Sequence, residues 1–79
     1  YRTLYYLGLC SFGLSEFRNA AKSLKKALRI NPDDAKSHYQ LALTYLQLNK
    51  VREARKKLNI LYMLDMSMYD SLNFYINNN

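Results

Sequence analysis

Apolar residues recur along the chain at the three- and four-residue spacing that is typical of amphipathic helices. This pattern predicts helices over residues 1–14, 16–30 and 35–48, a fourth helix from about residue 51, and a short fifth helix over residues 68–76. The clearest break is residues 31–34, because Pro32 cannot continue the preceding helix and either Asp33 or Asp34 can cap the next one. The hydrophobic pattern therefore predicts an all-α chain of five helices.

Smaller signals place the other turns. Residues 13–15 are expected to join the first two helices, and Asn49 marks the next turn because asparagine tolerates a left-handed backbone. Ser67 and Asp70 resemble a capping box at the start of the fifth helix. The asparagines at 77–79 are expected to be frayed.

The chain contains an internal repeat, in which residues 35–68 follow the pattern of residues 1–34. The identities that this register aligns are Tyr5/Tyr39, Leu7/Leu41, Leu9/Leu43, Leu14/Leu48, Arg18/Arg52, Ala20/Ala54, Lys22/Lys56 and Leu24/Leu58. Most of them are packing residues. A period of this length is typical of a stacked helical array rather than of a globular enzyme.

The repeated residues resemble tetratricopeptide repeats (TPR). The positions that carry the resemblance are Leu4, Leu7, Gly8, Ala20, Leu24, Ala27 and Pro32 in the first repeat, and His38, Leu41, Ala42, Tyr45, Ala54, Leu58 and Leu61 in the second. The chain departs from the family pattern at Ser11, Leu61 and Met66. The small residues at matched positions disfavour a coiled coil or a simple four-helix bundle.

The resemblance implies a division into three segments. We expect TPR-like repeats at residues 1–34 and 35–68, followed by a capping helix and frayed tail at residues 69–79. The capping helix would turn Leu72, Tyr75 and Ile76 towards the fourth helix. The helices are expected to stack into a short right-handed superhelix.

In this family the first helix of each repeat lines a concave groove, so the resemblance implies a groove here. The residues of this groove face would be Arg2, Tyr5, Tyr6, Leu9, Lys36, Tyr39, Gln40, Leu43 and Gln47. Tyrosine and arginine often dominate binding energy at interfaces. The chain is therefore expected to be a non-enzymatic interaction module or scaffold that binds a peptide or protein. Some family members clamp a chaperone C-terminal carboxylate with Lys, Arg and Asn, but Tyr6 and Gln40 replace the asparagines, so we expect no such clamp.

A second surface is basic. The residues of this basic face are Arg18, Lys22, Lys25, Lys26, Arg29, Arg52 and Lys56, which lie on one side of the second and fourth helices. The alternative function is binding of nucleic acid or another anionic partner through this face. An ordinary solvated surface explains the same pattern, and the stripe has no interleaved aromatic residue to stack on a base.

Catalysis finds no support in the sequence. The acidic residues stand at helix starts and turns, where capping explains them. His38 occupies a family packing position and lacks companions for a metal site, and the chain has no Gly-rich phosphate loop. We therefore expect no enzymatic activity, no metal and no cofactor.

The net charge of +6 favours acidic or anionic partners. No apolar run could span a bilayer and no signal-peptide pattern opens the chain. A signal or anchor segment could lie outside this stretch, so the sequence leaves the compartment unknown, with the cytoplasm only weakly favoured. Because the chain begins at Tyr1 within a predicted helix, we expect it to be an excerpt of a longer protein. The lone Cys10 excludes an intrachain disulfide.

Two repeats share only one interface between hairpins, which limits the stability that stacking can supply. We predict that the isolated chain self-associates through its first helix or is only modestly stable. Sedimentation and thermal unfolding would check this, and a monomer at high concentration with cooperative unfolding at high temperature would contradict it.

Overall fold

Five α-helices account for most of the chain. In a computed structural model, which describes residues 2–77, they are α1 (Arg2–Gly13), α2 (Phe17–Ile30), α3 (Ala35–Gln47), α4 (Val51–Leu64) and α5 (Met66–Asn77). No strand occurs within the described residues. The predicted all-α class and the five helices are confirmed, whereas the hand of the superhelix and the repeat bounds stay predictions.

The turns after α1 and after α3 have the same backbone geometry. Ser15 and Asn49, which occupy equivalent positions in the two repeats, both adopt a left-handed conformation with φ of 61°. The next backbone N–H in each turn, of Glu16 or Lys50, donates to a carbonyl five residues earlier at 2.8 Å. This bond is typical of a Schellman termination, which satisfies the last carbonyls of a helix. The left-handed residue was predicted at Asn49. Ser15 takes the same role although it is neither asparagine nor glycine.

The connection from α2 to α3 is held by side chains around Asp34. Asp34 precedes the first residue of α3, and its carboxylate accepts a hydrogen bond from the Ser37 hydroxyl at 2.5 Å. The backbone carbonyl of Asp34 also accepts hydrogen bonds from the backbone N–H groups of Ser37 and His38. Of the two aspartates that could cap α3, Asp34 therefore occupies the N-cap position.

His38 is a packing residue that also fastens this connection. It is buried, and its Nε2 lies 2.7 Å from the Pro32 carbonyl oxygen. Because a carbonyl can only accept, Nε2 must carry the hydrogen in this contact. In a neutral ring Nδ1 is then a bare acceptor, and it is buried without a hydrogen-bond partner within the described residues.

The hydrophobic core is centred on α3, which contacts all four other helices. The fully buried apolar side chains of the core are Ala20, Leu24, Ala27, Leu41, Ala42, Ala54, Leu61 and Leu72. Small residues occupy the close helix contacts, as the repeat pattern predicts. At Gly8, an added Cβ atom would lie 2.7 Å from Leu24 Cγ, so α1 and α2 approach too closely for a larger residue.

Residues at equivalent positions of the two repeats are not always equally buried. Leu41 is fully buried, whereas Leu7, its equivalent in the first repeat, is 52% exposed. The reason is that α1 contacts only α2 and α3 within the described residues, so the side of α1 that carries Leu7 has no neighbouring helix there. Leu14 is also exposed, whereas its repeat equivalent Leu48 is partly buried.

The start of α5 differs from the sequence prediction. The helix begins at Met66 rather than at residue 68, and the Asp65 carboxylate accepts the Met68 backbone N–H at 3.2 Å. Asp65 therefore caps the helix in place of the predicted box of Ser67 and Asp70. Residue 77 lies in the helix, and residues 78 and 79 of the predicted frayed tail lie outside the described residues.

The inner face of α5 consists in part of different residues from those predicted. Leu72 is fully buried and Ile76 is partly buried against the core, but Tyr75 is exposed. Met68 and Tyr69 pack against the core in its place, and the Tyr69 ring meets the Tyr62 ring edge-on at 5.1 Å.

The close approach at Gly8 predicts opposite effects for two glycine substitutions in one helix. We expect Gly8→Ala to destabilise the fold by about 1 kcal/mol, because overpacking against Leu24 outweighs the gain in helix propensity. Gly13→Ala should stabilise it by about 0.5 kcal/mol, because no atom lies within 4 Å of its added Cβ. Urea unfolding followed by circular dichroism measures both, and a stabilising Gly8→Ala would contradict the packing.

The buried His38 predicts a pH-dependent stability. Burial lowers its pKa below the ordinary value of 6.5, with Lys57 adding to the effect and the Pro32 contact, Asp34 and Asp33 opposing it. Below about pH 6.5 the unfolded chain therefore binds more protons than the folded chain, so stability falls as pH falls.

We expect the urea midpoint to fall between about pH 7 and pH 5, and the fall to be smaller in His38→Gln, whose amide does not titrate. Equal pH dependence in the two proteins would exclude His38 as the source.

Candidate functional site

The described residues hold no arrangement suited to metal chemistry. Within residues 2–77, no group of three or more His, Cys, Asp and Glu side chains could hold a metal ion. None of the five helices is both long enough and apolar enough to cross a membrane. The candidate sites are the groove face and the basic face.

The groove face is formed by α1 and α3, which contact each other beside α2. Four of its predicted residues come together around a cavity of about 310 Å³, which is lined by Arg2, Tyr5, Tyr6, Lys36 and Asp34. Sequence reasoning assigned Asp34 only a capping role, although it stands two residues before Lys36. The cavity thus combines two cations, one carboxylate and two phenol rings.

Tyr5 and Tyr6 differ in what they can offer a partner. Their rings meet edge-on with centroids 5.5 Å apart, but Tyr5 packs partly against the core whereas Tyr6 is 60% exposed. Burial raises the pKa of the Tyr5 hydroxyl, and the nearby charge of Asp34 adds to this. Tyr6 is therefore the accessible ring of the cavity, while Tyr5 forms part of its wall.

The remaining groove-face residues lie outside this cavity. Tyr39 and Leu43 are partly buried against the core, and Leu9 and Gln40 are also only partly exposed. Gln47 lines a separate cavity with Tyr75 and Ile76 of α5. The structure therefore concentrates the predicted groove face at the Arg2–Lys36 end and extends its other end towards α5.

Residues of the fifth helix follow those of α3 by one repeat period, and the role of α5 as a capping helix stays a prediction. Leu72 is buried at the position that follows His38 by one repeat period, and α5 contacts α4 and α3 as α3 contacts α2 and α1. The same shift places Asp70, Asn73 and Phe74 in register with Lys36, Tyr39 and Gln40. Applying the repeat period a second time, to residues 66–77, reveals this correspondence in the sequence.

The basic face is concentrated between α2 and the end of α3. Its five α2 members line one cavity of about 380 Å³; the full lining is Arg18, Ala21, Lys22, Lys25, Lys26, Arg29, Tyr45, Leu48 and Lys50. Lys50 was not predicted, because it lies in a turn and is brought to α2 only by the fold. The predicted members Arg52 and Lys56 do not line this cavity.

Positive charges influence one another across this surface. Burial lowers the pKa of Lys57 on α4, and the charges of Lys25 and Lys56 lower it further. The Lys25 Nζ atom also lies 5.8 Å from the centre of the Tyr45 ring, within cation–π range. Lys25 of α2 and Lys56 of α4 therefore both act on Lys57, although no α4 residue lines the cavity.

Comparison with known proteins shows the family to which the chain belongs. The model of the family described as anaphase-promoting complex, cyclosome, subunit 3 matches residues 1–60. The Hsp70/Hsp90 co-chaperone CNS1 of Saccharomyces cerevisiae is 37% identical over 46 residues, which are 58% of this chain and 12% of the co-chaperone. The match therefore spans about an eighth of that relative's length. No solved structure matches the chain.

Proposed function

Since the chain belongs to the TPR-like repeat family described as anaphase-promoting complex, cyclosome, subunit 3, we propose that its groove face binds a peptide or protein segment. The family and the co-chaperone relative support a protein–protein interaction module without catalytic activity. The observation that carries the groove assignment is the cavity in which α1 and α3 bring Arg2, Tyr6 and Lys36 together.

The cavity suits a partner segment with an aromatic or apolar side chain beside an acidic one. Tyr6 offers an exposed ring with a polar tip, which is a favourable anchor at interfaces. Arg2 and Lys36 supply two exposed cations, and charge complementarity of this kind guides the choice of partner. Asp34 would reject an acidic group placed on its side of the cavity, so it restricts where the partner's acid can lie.

The relative suggests chaperones as the first partners to test. CNS1 is by its name a co-chaperone of Hsp70 and Hsp90, and we propose proteins of this kind as candidate partners of this chain. Tyr6 and Gln40 stand where a carboxylate clamp would carry asparagines. We therefore propose that the groove face recognises side chains of the partner rather than a terminal carboxylate.

A double substitution on the groove face tests the proposal. We expect Tyr6→Ala/Lys36→Ala to lose at least about tenfold in partner affinity, because hot-spot residues typically contribute more than about 1.4 kcal/mol. The chain is immobilised and used to capture Hsp70, Hsp90 and proteins from a lysate. Captured proteins are identified by mass spectrometry, and their affinities are then measured.

The matched control is Tyr62→Ala/Lys56→Ala on α4. Tyr62 is 56% exposed and, like Tyr6, takes part in one edge-on ring pair, so the two variants remove similar groups from different surfaces. The control should capture partners as the unsubstituted chain does, with equal helicity in all three proteins. Undiminished capture by Tyr6→Ala/Lys36→Ala would refute the groove assignment.

A further inference from the structure

The cavity between α2 and the α3–α4 turn has a composition that packing alone does not explain. Six cationic residues line it: Arg18, Lys22, Lys25, Lys26, Arg29 and Lys50. Among residues 2–77, no carboxylate contributes to this lining, and Glu16 lines the neighbouring cavity instead. We propose that this basic cavity is a binding site for a compact, multiply phosphorylated small molecule, such as a phosphorylated polyol.

The like charges carry a cost that a bound polyanion would remove. On α2, Lys22 is followed by Lys25 and Lys26, and these are followed by Arg29, so cations repeat at three- and four-residue spacing. Like charges at this spacing face each other on a helix and destabilise it. The helix contains no acidic residue to offset them. A multiply charged anion would convert these repulsions into attractions with several donors at once.

The shape of the site favours a small ligand. A volume of about 380 Å³ lies within the range of roughly 300–1,000 Å³ that is common for small-molecule sites. Its lining combines the cations with the apolar residues Ala21 and Leu48 and the buried Tyr45. A phosphorylated ring could contact the apolar residues and direct its phosphates towards the cations.

Nucleic acid fits the same observations less well. A nucleic-acid strand is held by a continuous charged track with aromatic rings that stack on bases. Here Arg52 and Lys56 of α4 do not join the cavity, and the only ring in its lining, Tyr45, is 5% exposed, too little to stack on a base. The charge is therefore gathered around one cavity rather than extended along both helices.

The first test uses inositol hexakisphosphate as the probe, with calorimetry and thermal unfolding of the chain. We expect saturable binding of one probe per chain, affinity that falls steeply with salt, and a Tm rise of roughly 10 °C at a hundredfold excess over Kd. The same titrations with a single-stranded RNA oligonucleotide measure the competing possibility.

Two triple variants with equal loss of charge locate the site. Lys22→Gln/Lys26→Gln/Lys50→Gln removes cations of the cavity and should lower probe affinity on the order of 100-fold. Arg52→Gln/Arg55→Gln/Lys56→Gln removes cations outside it and should lower affinity less than about threefold. Circular dichroism of each variant confirms that helicity is kept.

The outcomes separate the alternatives. Equal losses in the two variants, no saturable binding, or tighter binding of RNA than of the probe would each overturn the proposal. Vesicles with and without phosphatidylinositol bisphosphate then identify the source: binding to the loaded vesicles indicates a lipid headgroup, and binding of the soluble probe alone indicates a free phosphorylated polyol. Both of these results would support the site.

Discussion

The close approach of neighbouring helices is the constraint on which the rest of the structure depends. Gly8 admits Leu24 where a Cβ atom would meet it at 2.7 Å, and the fully buried Ala20, Ala42 and Ala54 lie at matched positions of the helices. Because backbones can approach only where side chains are small, these residues set which face of each helix turns inward. The buried leucines then fill the remaining space around α3, and the two Schellman turns, one in each repeat, return the chain with the same geometry each time.

Packing in this way leaves two surfaces with different chemistry. The inward faces of α1 and α3 are committed to the core, so their outer residues form a groove face with rings, cations and one carboxylate. The inward face of α2 is similarly committed to alanine and leucine, and its outward cations meet Lys50 around the basic cavity. The first surface has the varied composition of a protein interface, whereas the second has a single sign of charge. These compositions are the reason why we propose a peptide partner for the first surface and a dense anion for the second.

The two proposals are physically independent, because no residue lines both cavities. They nevertheless share the scaffold, since α3 carries Lys36 near its start and Tyr45 near its end. A ligand that binds only the folded chain, at either site, would stabilise α3. Stabilisation of shared structure is a route by which one ligand can assist the binding of another.

The sequence by itself determined the helices, the repeat register and most of the core, because the spacing of apolar and small residues reports which side of a helix is packed. It also determined the turn at Asn49 and the packing role of His38. Only the tertiary structure decided which repeated positions are covered: Leu41 is buried and Leu7 is not, since burial depends on neighbouring helices and not on the residue alone. The fold likewise brought Lys50 to α2, and Asp34 to Arg2 and Tyr5 on the groove face. These are contacts between residues distant in sequence, which local periodicity does not contain.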